Sequence, residues 1–185
     1  MPVRDRIHWS LVSTRFSSSL SLDYSRNRDD SQWFGNFLDD GGSEHFTFAR
    51  LDQRTLGITW RLNYTFTPNA SLQVYANPFV SKGTYSDVRE LADPRADEYD
   101  DRFQPYADPE VAADPGGFNV KEFRSNVVFR WEYRPGSTLF LVWSQGREHS
   151  APIQGGRSFW GDFDELFDQR ANDVFLVKVS YWLSR

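Results

Sequence analysis

Residues 172–183, Asn172-Asp173-Val174-Phe175-Leu176-Val177-Lys178-Val179-Ser180-Tyr181-Trp182-Leu183, decide how the rest of the chain is to be read. Phe175, Val177, Val179, Tyr181 and Leu183 fall on every second position, so in a strand they line one face while Lys178 and Ser180 go to the other. One face is apolar and the other is wet. Two readings of this strand stand side by side: an amphipathic strand of a soluble sheet, or a membrane strand whose apolar face meets lipid and closes on an interfacial aromatic belt.

Composition narrows the choice. With 185 residues the chain can bury a sizeable core as one domain. A net charge of −5, an isoelectric point near 5.2 and the lack of a dominant basic stripe argue against a nucleic-acid partner. The absence of cysteine removes disulfides, thiolate catalysis and cysteine-based metal sites together. Seven Trp and a 17% aromatic share are high for a chain whose mean hydropathy is −0.63. That pairing fits a membrane barrel, in which only alternate strand residues need be apolar and long loops are polar, and it fits a sugar-binding β-sandwich as well. No run of about eighteen apolar residues exists, so a transmembrane helix is excluded. The opening Met1-Pro2-Val3-Arg4-Asp5-Arg6 lacks the apolar stretch of a signal peptide, which a protein exported to the outer membrane needs, so the chain is expected to be the C-terminal part of something longer.

From the start of the chain the same period recurs. Ile7, Trp9 and Leu11 alternate before a turn near 12–14. Phe16, Leu20, Leu22 and Tyr24 then alternate with serines and Asp23 over about Arg15 to Asp29, and serine on every other position is costly in a soluble core but cheap against water. A polar loop is expected over 30–45, with Trp33-Phe34 as a possible continuation of the strand. The clearest alternation lies in Leu56, Ile58, Trp60, Leu62, Tyr64 and Phe66, opposed by Thr55, Gly57, Thr59, Arg61, Asn63 and Thr65. Thr67-Pro68-Asn69-Ala70 is a tight turn by its residue types, and Leu72, Val74, Ala76, Pro78 and Val80 return from it. From 82 to 118 no period is sustained, and the stretch is acidic and proline-rich, with Asp93, Asp97, Glu98, Asp100, Asp101, Pro109 and Glu110 among its residues. Val127, Phe129, Trp131 and Tyr133 then alternate with Arg124, Asn126, Arg130 and Glu132, a turn follows at 134–137, and Leu139, Leu141 and Trp143 return. The loop 146–171 is expected to hold one short helix, Asp162 to Gln169, with Phe163, Leu166 and Phe167 on a shared face.

The loop lengths carry the architecture further than any strand. Connections near 12–14, 67–70 and 134–137 are short, those over 30–45, 82–118 and 146–171 are long, and the two kinds alternate strictly. In a meander this sorts all short turns to one end, as periplasmic turns and extracellular loops are sorted in outer-membrane barrels. The expected fold is therefore all-β, an antiparallel up-and-down meander of about six strands plus a remnant, forming the C-terminal part of an outer-membrane β-barrel. Six strands are too few to close one, and open edges cannot sit in lipid.

The stretch Asn119-Val120-Lys121-Glu122-Phe123-Arg124-Ser125-Asn126-Val127-Val128-Phe129-Arg130-Trp131-Glu132-Tyr133-Arg134-Pro135-Gly136-Ser137-Thr138-Leu139-Phe140-Leu141-Val142-Trp143 resembles the C-terminal region of an uncharacterised bacterial family, domain of unknown function 5916. Tyr64 to Asn69, Val80 to Asp87 and Val174 to Leu183 are similar to the same family. The resemblance implies a large C-terminal barrel preceded by a carbohydrate-binding-like β-sandwich that is absent from this sequence. It implies position and fold, not chemistry, since the family brings no catalytic residues to carry over.

Catalytic chemistry finds little footing. His8, His45 and His149 are far apart in sequence and none has a second histidine at ligand spacing, so no metal site is expected. Glu148-His149-Ser150 lacks the surroundings of a nucleophile motif, and the carboxylates of Asp93 to Asp101 lack the spacing and glycine of a calcium loop. Arg61, Arg124, Arg130, Glu132 and Lys178 are expected to face a lumen, where they could select a solute; a polar interior satisfied by water and its own charges explains them as well. Phe175, Val177, Val179, Tyr181 and Leu183 are expected to form a C-terminal assembly strand. The expected protein is a channel, transporter or anchor of the bacterial outer membrane, without catalysis or cofactor. Its expected partners are outer-membrane lipid, the barrel-assembly machinery and the remaining N-terminal strands of a parent barrel, with no nucleic acid. A soluble β-sheet carbohydrate-binding module is the alternative; aromatics spread along one face favour lipid, and a cluster at one concave spot favours sugar.

Overall fold

The cleanest alternation in the chain, Leu56 to Phe66, already exceeds the three to ten residues of an ordinary strand. A computed structural model describes residues 3–39, 41–106, 108, 114–153 and 158–183. Its strands are β1 (Val3–Val12), β2 (Phe16–Leu38), β3 (Glu44–Thr67), β4 (Ala70–Leu91), the short β5 (Phe103–Pro105), β6 (Gly117–Arg134), β7 (Ser137–Pro152) and β8 (Asn172–Ser180). β2, β3 and β4 are 23, 24 and 22 residues long, about 75 Å each at the usual rise. They form one antiparallel sheet in the order β1-β2-β3-β4-β6-β7-β8, with β5 paired to the distal end of β4. Every step along this path joins chain neighbours apart from that small detour. The up-and-down meander read from the sequence is therefore the observed fold. Among the described residues, neither β1 nor β8 has a partner on its outer edge, so the sheet is open.

The register fixes which side chains share a face, because directly paired residues project to the same side. Phe16, Tyr64, Leu72, Phe129, Leu141 and Val177 are joined in one row across six strands. Leu20, Trp60 and Ala76 form another, and Leu62, Val74, Val127, Trp143 and Phe175 a third. On the other side, Ser19, Arg61, Tyr75, Asn126, Ser144 and Val174 are joined in a row between them. One face of the sheet is thus apolar over its half nearest the short turns, and the other is largely hydroxyl, amide and arginine.

Short turns join β1 to β2, β3 to β4 and β6 to β7, all at one end. Gly136, at φ +76°, supplies the left-handed residue of the last of these. The turns do not lie on one row. From the row Val12–Ser17–Asn63–Gln73–Val128, β1 ends at once, β3 runs four residues further to Thr67 and β6 six further to Arg134. An offset of about five to six residues, roughly 16–20 Å, accrues over four strand spacings of about 19 Å. A line through the turns therefore crosses the strands obliquely, with the strands tilted about 40–45° from its normal.

At the opposite end β7 and β8 are joined through a helix, α1 (Phe159–Asp168), whose N-cap Ser158 accepts a hydrogen bond from the Gly161 amide. Phe163 and Leu166 seat α1 on Val80, Leu56, Ile58 and Phe123, on the apolar face. The distal part of the other face is closed by aromatics: Phe34 meets Tyr85 edge-on at 5.1 Å, and Phe37 stacks on Tyr106 at 5.5 Å. Here β4 and β6 approach so closely that a Cβ on Gly117 would lie 2.2 Å from the Gly83 carbonyl oxygen.

Several expectations are corrected. Most of the span 30–45 is strand: β2 continues to Leu38 and β3 begins at Glu44, but bulges between Asp29 and Gln32 and between Trp33 and Gly35 break the alternation that would have disclosed it. The span 82–118 likewise holds the rest of β4 and the short β5. The helix starts at Phe159, three residues before the expected Asp162. β8 stops at Ser180, because pairing ends at Thr138–Ser180 and β7 offers only Ser137 beyond it; Tyr181 and Leu183 follow the strand instead of ending it. Asp40, Pro109 and Glu110, with 154–157 of the last loop, lie outside the described residues.

Candidate functional site

Three successive rows of the polar face make its middle. Ser17, Asn63, Gln73, Val128, Val142 and Leu176 form the first, Ser19, Arg61, Tyr75, Asn126, Ser144 and Val174 the second, and Ser21, Thr59, Asn77, Arg124 and Asn172 the third. They contain no carboxylate. Amides tie neighbouring strands together: the Asn63 side chain donates to Ser17 Oγ at 3.1 Å, and that of Asn77 to the Ile58 carbonyl at 2.8 Å and to Thr59 Oγ1 at 3.0 Å. Arg61 lies over the Tyr75 ring at 5.4 Å. Two open grooves run along this face. One, of about 450 Å³, is lined by residues that include Arg4, Arg6, Asp23, Ser25, Thr55, Thr59 and Asn77. The other, of about 390 Å³, is lined by Arg61, Asn63, Gln73, Val74, Tyr75, Asn126 and Val128.

Arg61, Arg124, Arg130, Glu132 and Lys178 all project from this face by register, but they are not gathered at one point. Arg124 pairs with Glu122 at 3.3 Å and Arg130 with Glu132 at 3.2 Å, each within its own strand. Lys178 faces Phe140 near the short-turn end. Phe175, Val177 and Val179 stand on the opposite face, 74%, 67% and 63% exposed, while Tyr181 accepts a hydrogen bond from Arg134 at 2.9 Å.

Two polar clusters were not foreseen. On the apolar face, Asp162 of α1 is fully buried and accepts from Lys82 Nζ and the Asn119 amide, both at 2.8 Å; Lys121, 1% exposed, lies 3.6 Å from it and pairs also with Glu165. Two signals were present: Lys82 and Lys121 share the parity of Val80 and Phe123, and Asp162 falls one turn before Leu166 on the buried side of the helix. At the distal end, His45 Nδ1 meets Glu90 at 2.5 Å, His45 Nε2 lies 3.6 Å from Asp39, Gln104 donates to Glu90, and Tyr106 stands edge-on to the imidazole. Hydrogen bonding to Glu90 and the charges of Glu90 and Asp39 raise the His45 pKa against the opposing effect of burial. Partners 45 residues apart give no sequence signal.

Strand alternation divides Glu148-His149-Ser150: His149 shares the Lys121 face and lies 3.6 Å from Glu165, whereas Glu148 and Ser150 project to the other. In the acidic stretch, Asp93 caps the Arg95 amide at 2.9 Å and Asp100–Arg102 form one 3₁₀ turn. Among the described residues, no group of three or more His, Asp or Glu side chains is placed to hold a metal ion. The model of a family described as a domain of unknown function (DUF5916) matches residues 4–184. No curated protein and no solved structure matches the chain.

Proposed function

The chain belongs to the DUF5916 family, whose description names no activity, and we propose from its geometry that it is a wall of an outer-membrane β-barrel, serving a channel, transporter or anchor and not an enzyme. The carrying observation is the apolar face. Tyr64 to Leu56 on β3 and Leu72 to Val80 on β4 each span eight residue steps, about 27 Å along the strand and roughly 20 Å after a 40–45° tilt, and at the distal end, where α1 covers Leu56, Ile58 and Val80, the helix presents its own Trp160 and Phe167. The lipid-facing band of such barrels is about 25 Å tall, with strands tilted 35–45°. Tyr64, Phe66, Trp131 and Tyr133 stand at its short-turn edge, and Tyr24 and Phe159 at its distal edge, as two aromatic girdles would. The aromatics are spread along the face instead of clustered at one concave spot, which speaks for lipid over a carbohydrate-binding module.

On this reading the three carboxylate-free rows line a polar lumen, Arg61 and Arg124 supply its cations, and β8 is the strand the assembly machinery recognises. The free edges of β1 and β8 are closed by further strands of a larger barrel, since unpaired backbone cannot remain in lipid. Trp9, Leu20, Trp60, Trp131, Leu141, Trp143, Phe175 and Val177 are all more than a third exposed. Together they present on the order of 1,000 Å² of apolar surface, beyond the roughly 300–600 Å² of the largest patch on a typical monomer. The test is expression with and without detergent. The protein is expected to be monodisperse only in detergent or lipid and to float with phosphatidylcholine vesicles after refolding. A monodisperse monomer that melts cooperatively in plain buffer refutes the membrane reading.

A further inference from the structure

We propose that Arg26, Arg54 and Lys82 form a site for the phosphate of a phosphorylated amphiphile at the distal edge of the apolar face; the inference rests on the membrane reading above. Arg26 pairs directly with Arg54, and Arg54 directly with Lys82, so three cations stand side by side across β2, β3 and β4 within about 10 Å. Like charges directly opposite one another destabilise a sheet unless an anion joins them. For the two arginines the carboxylates at hand do so incompletely. Asp52 takes Arg26 at 2.6 Å and is 3.9 Å from Arg54, and Asp162 takes Lys82 at 2.8 Å while buried under α1. Among the described residues Arg54 has no closer carboxylate, and its side chain is 53% exposed, beside Arg26 at 49% and Arg28 at 55%.

What stands below this row says what kind of anion fits. Two residues nearer the short turns, on the same face, is the apolar row Tyr24–Leu56–Val80, of which Leu56 and Val80 lie under α1, so the apolar wall presented there is Tyr24 with the helix's own Phe159 and Trp160. Phe159 meets Tyr24 edge-on at 6.3 Å and lies under the Lys82 ammonium at 4.4 Å, and Trp160 beside it is 69% exposed. A molecule with acyl chains along the apolar wall would bring its headgroup phosphate to the cations, where two guanidinium groups can hold phosphate oxygens in bidentate fashion. A free phosphate would gain nothing from the wall.

The experiment uses the full-length protein in phosphatidylcholine vesicles doped with diphosphoryl lipid A, with the dephosphorylated lipid and inorganic phosphate as the other arms, and reads retained lipid by native mass spectrometry. Expected is retention of the phosphorylated lipid over the dephosphorylated one, roughly tenfold weaker retention in Arg54→Gln, a larger loss in Arg26→Gln/Arg54→Gln, and no change in the exposed distal variant Arg95→Gln. Equal retention of the two lipids, an unchanged Arg54→Gln, or competition by inorganic phosphate at the same concentration as the lipid overturns the site. Tryptophan quenching by brominated acyl chains in pure phosphatidylcholine separates the two readings. Quenching without headgroup preference sinks this site alone, and no quenching sinks the membrane reading with it.

Discussion

Replacing Asp162 with alanine tests how α1 is held on the apolar face. Its carboxylate is fully buried and accepts hydrogen bonds from Lys82 and Asn119 at 2.8 Å, with Lys121 at 3.6 Å and itself 1% exposed. Removing one partner of a buried ion pair costs roughly 3–5 kcal/mol, because the other charge is left buried. Lys121 keeps Glu165, which places the expected cost near the lower end, about 3 kcal/mol. Against this stands the burial of Phe163 and Leu166, together worth about 4–6 kcal/mol, while a ten-residue helix has little stability of its own. The substitution should therefore remove most of the docking energy without touching the sheet. Hydrogen exchange by mass spectrometry is expected to quicken roughly 100-fold over Phe159–Asp168 and to stay unchanged in β3 and β6. Lys121→Met/Asp162→Leu, which replaces two of the charges with apolar groups of similar volume, should restore most of the protection. Unchanged exchange across α1 in a folded Asp162→Ala protein would refute the docking account.

Val177→Arg, on the apolar face opposite Leu141, should abolish accumulation in the outer-membrane fraction of the full-length protein, at a cost of roughly 2–4 kcal/mol near the midplane, whereas Ser180→Arg on the other face should leave it largely intact; equal amounts of protease-protected barrel would contradict the faces. The raised pKa of His45 makes the distal tie to Glu90 and Asp39 complete below about pH 6.5 and lost as pH rises through the folded value, so exchange over 41–45 and 100–106, corrected for intrinsic rate, should quicken from about pH 5 to about pH 9 in the native chain and not in His45→Gln. Gly117→Ala should destabilise the distal sheet by about 1–3 kcal/mol, seen as a lower urea midpoint, since its Cβ would lie 2.2 Å from the Gly83 carbonyl oxygen.

The meander was legible because seven of its strands keep a clean parity over at least part of their length. Leu56 to Phe66 announce themselves, and the residues of Thr67-Pro68-Asn69-Ala70 name their own turn. The distal half was not, since its bulges change parity at Asp29–Gln32 and Trp33–Gly35 and the period of two is lost there. Arg61, Arg124 and Lys178 could be assigned to one face, but not to partners: whether Arg61 covers Tyr75 depends on how β3 and β4 are registered. α1 was visible as a helix from Phe163, Leu166 and Phe167, and its seat was not, because Lys82 and Lys121 lie 80 and 41 residues from Asp162. Lys82 and Lys121 at apolar strand parity, with Asp162 on the buried side of α1, are exceptions that tertiary packing alone explains.

On the proposed reading, one face of the sheet meets lipid and the other water. The sequence has no cysteine, so single cysteines placed through Trp60, Arg61, Leu62, Asn63 and Tyr64 on β3, and through Val127 to Trp131 on β6, can each carry one nitroxide label with no background. In phosphatidylcholine vesicles, labels at 60, 62, 64, 127, 129 and 131 are predicted to collide with oxygen and to be shielded from a water-soluble nickel chelate, and those at 61, 63, 128 and 130 to do the reverse. Equal exposure of both parities to the nickel chelate would contradict the account.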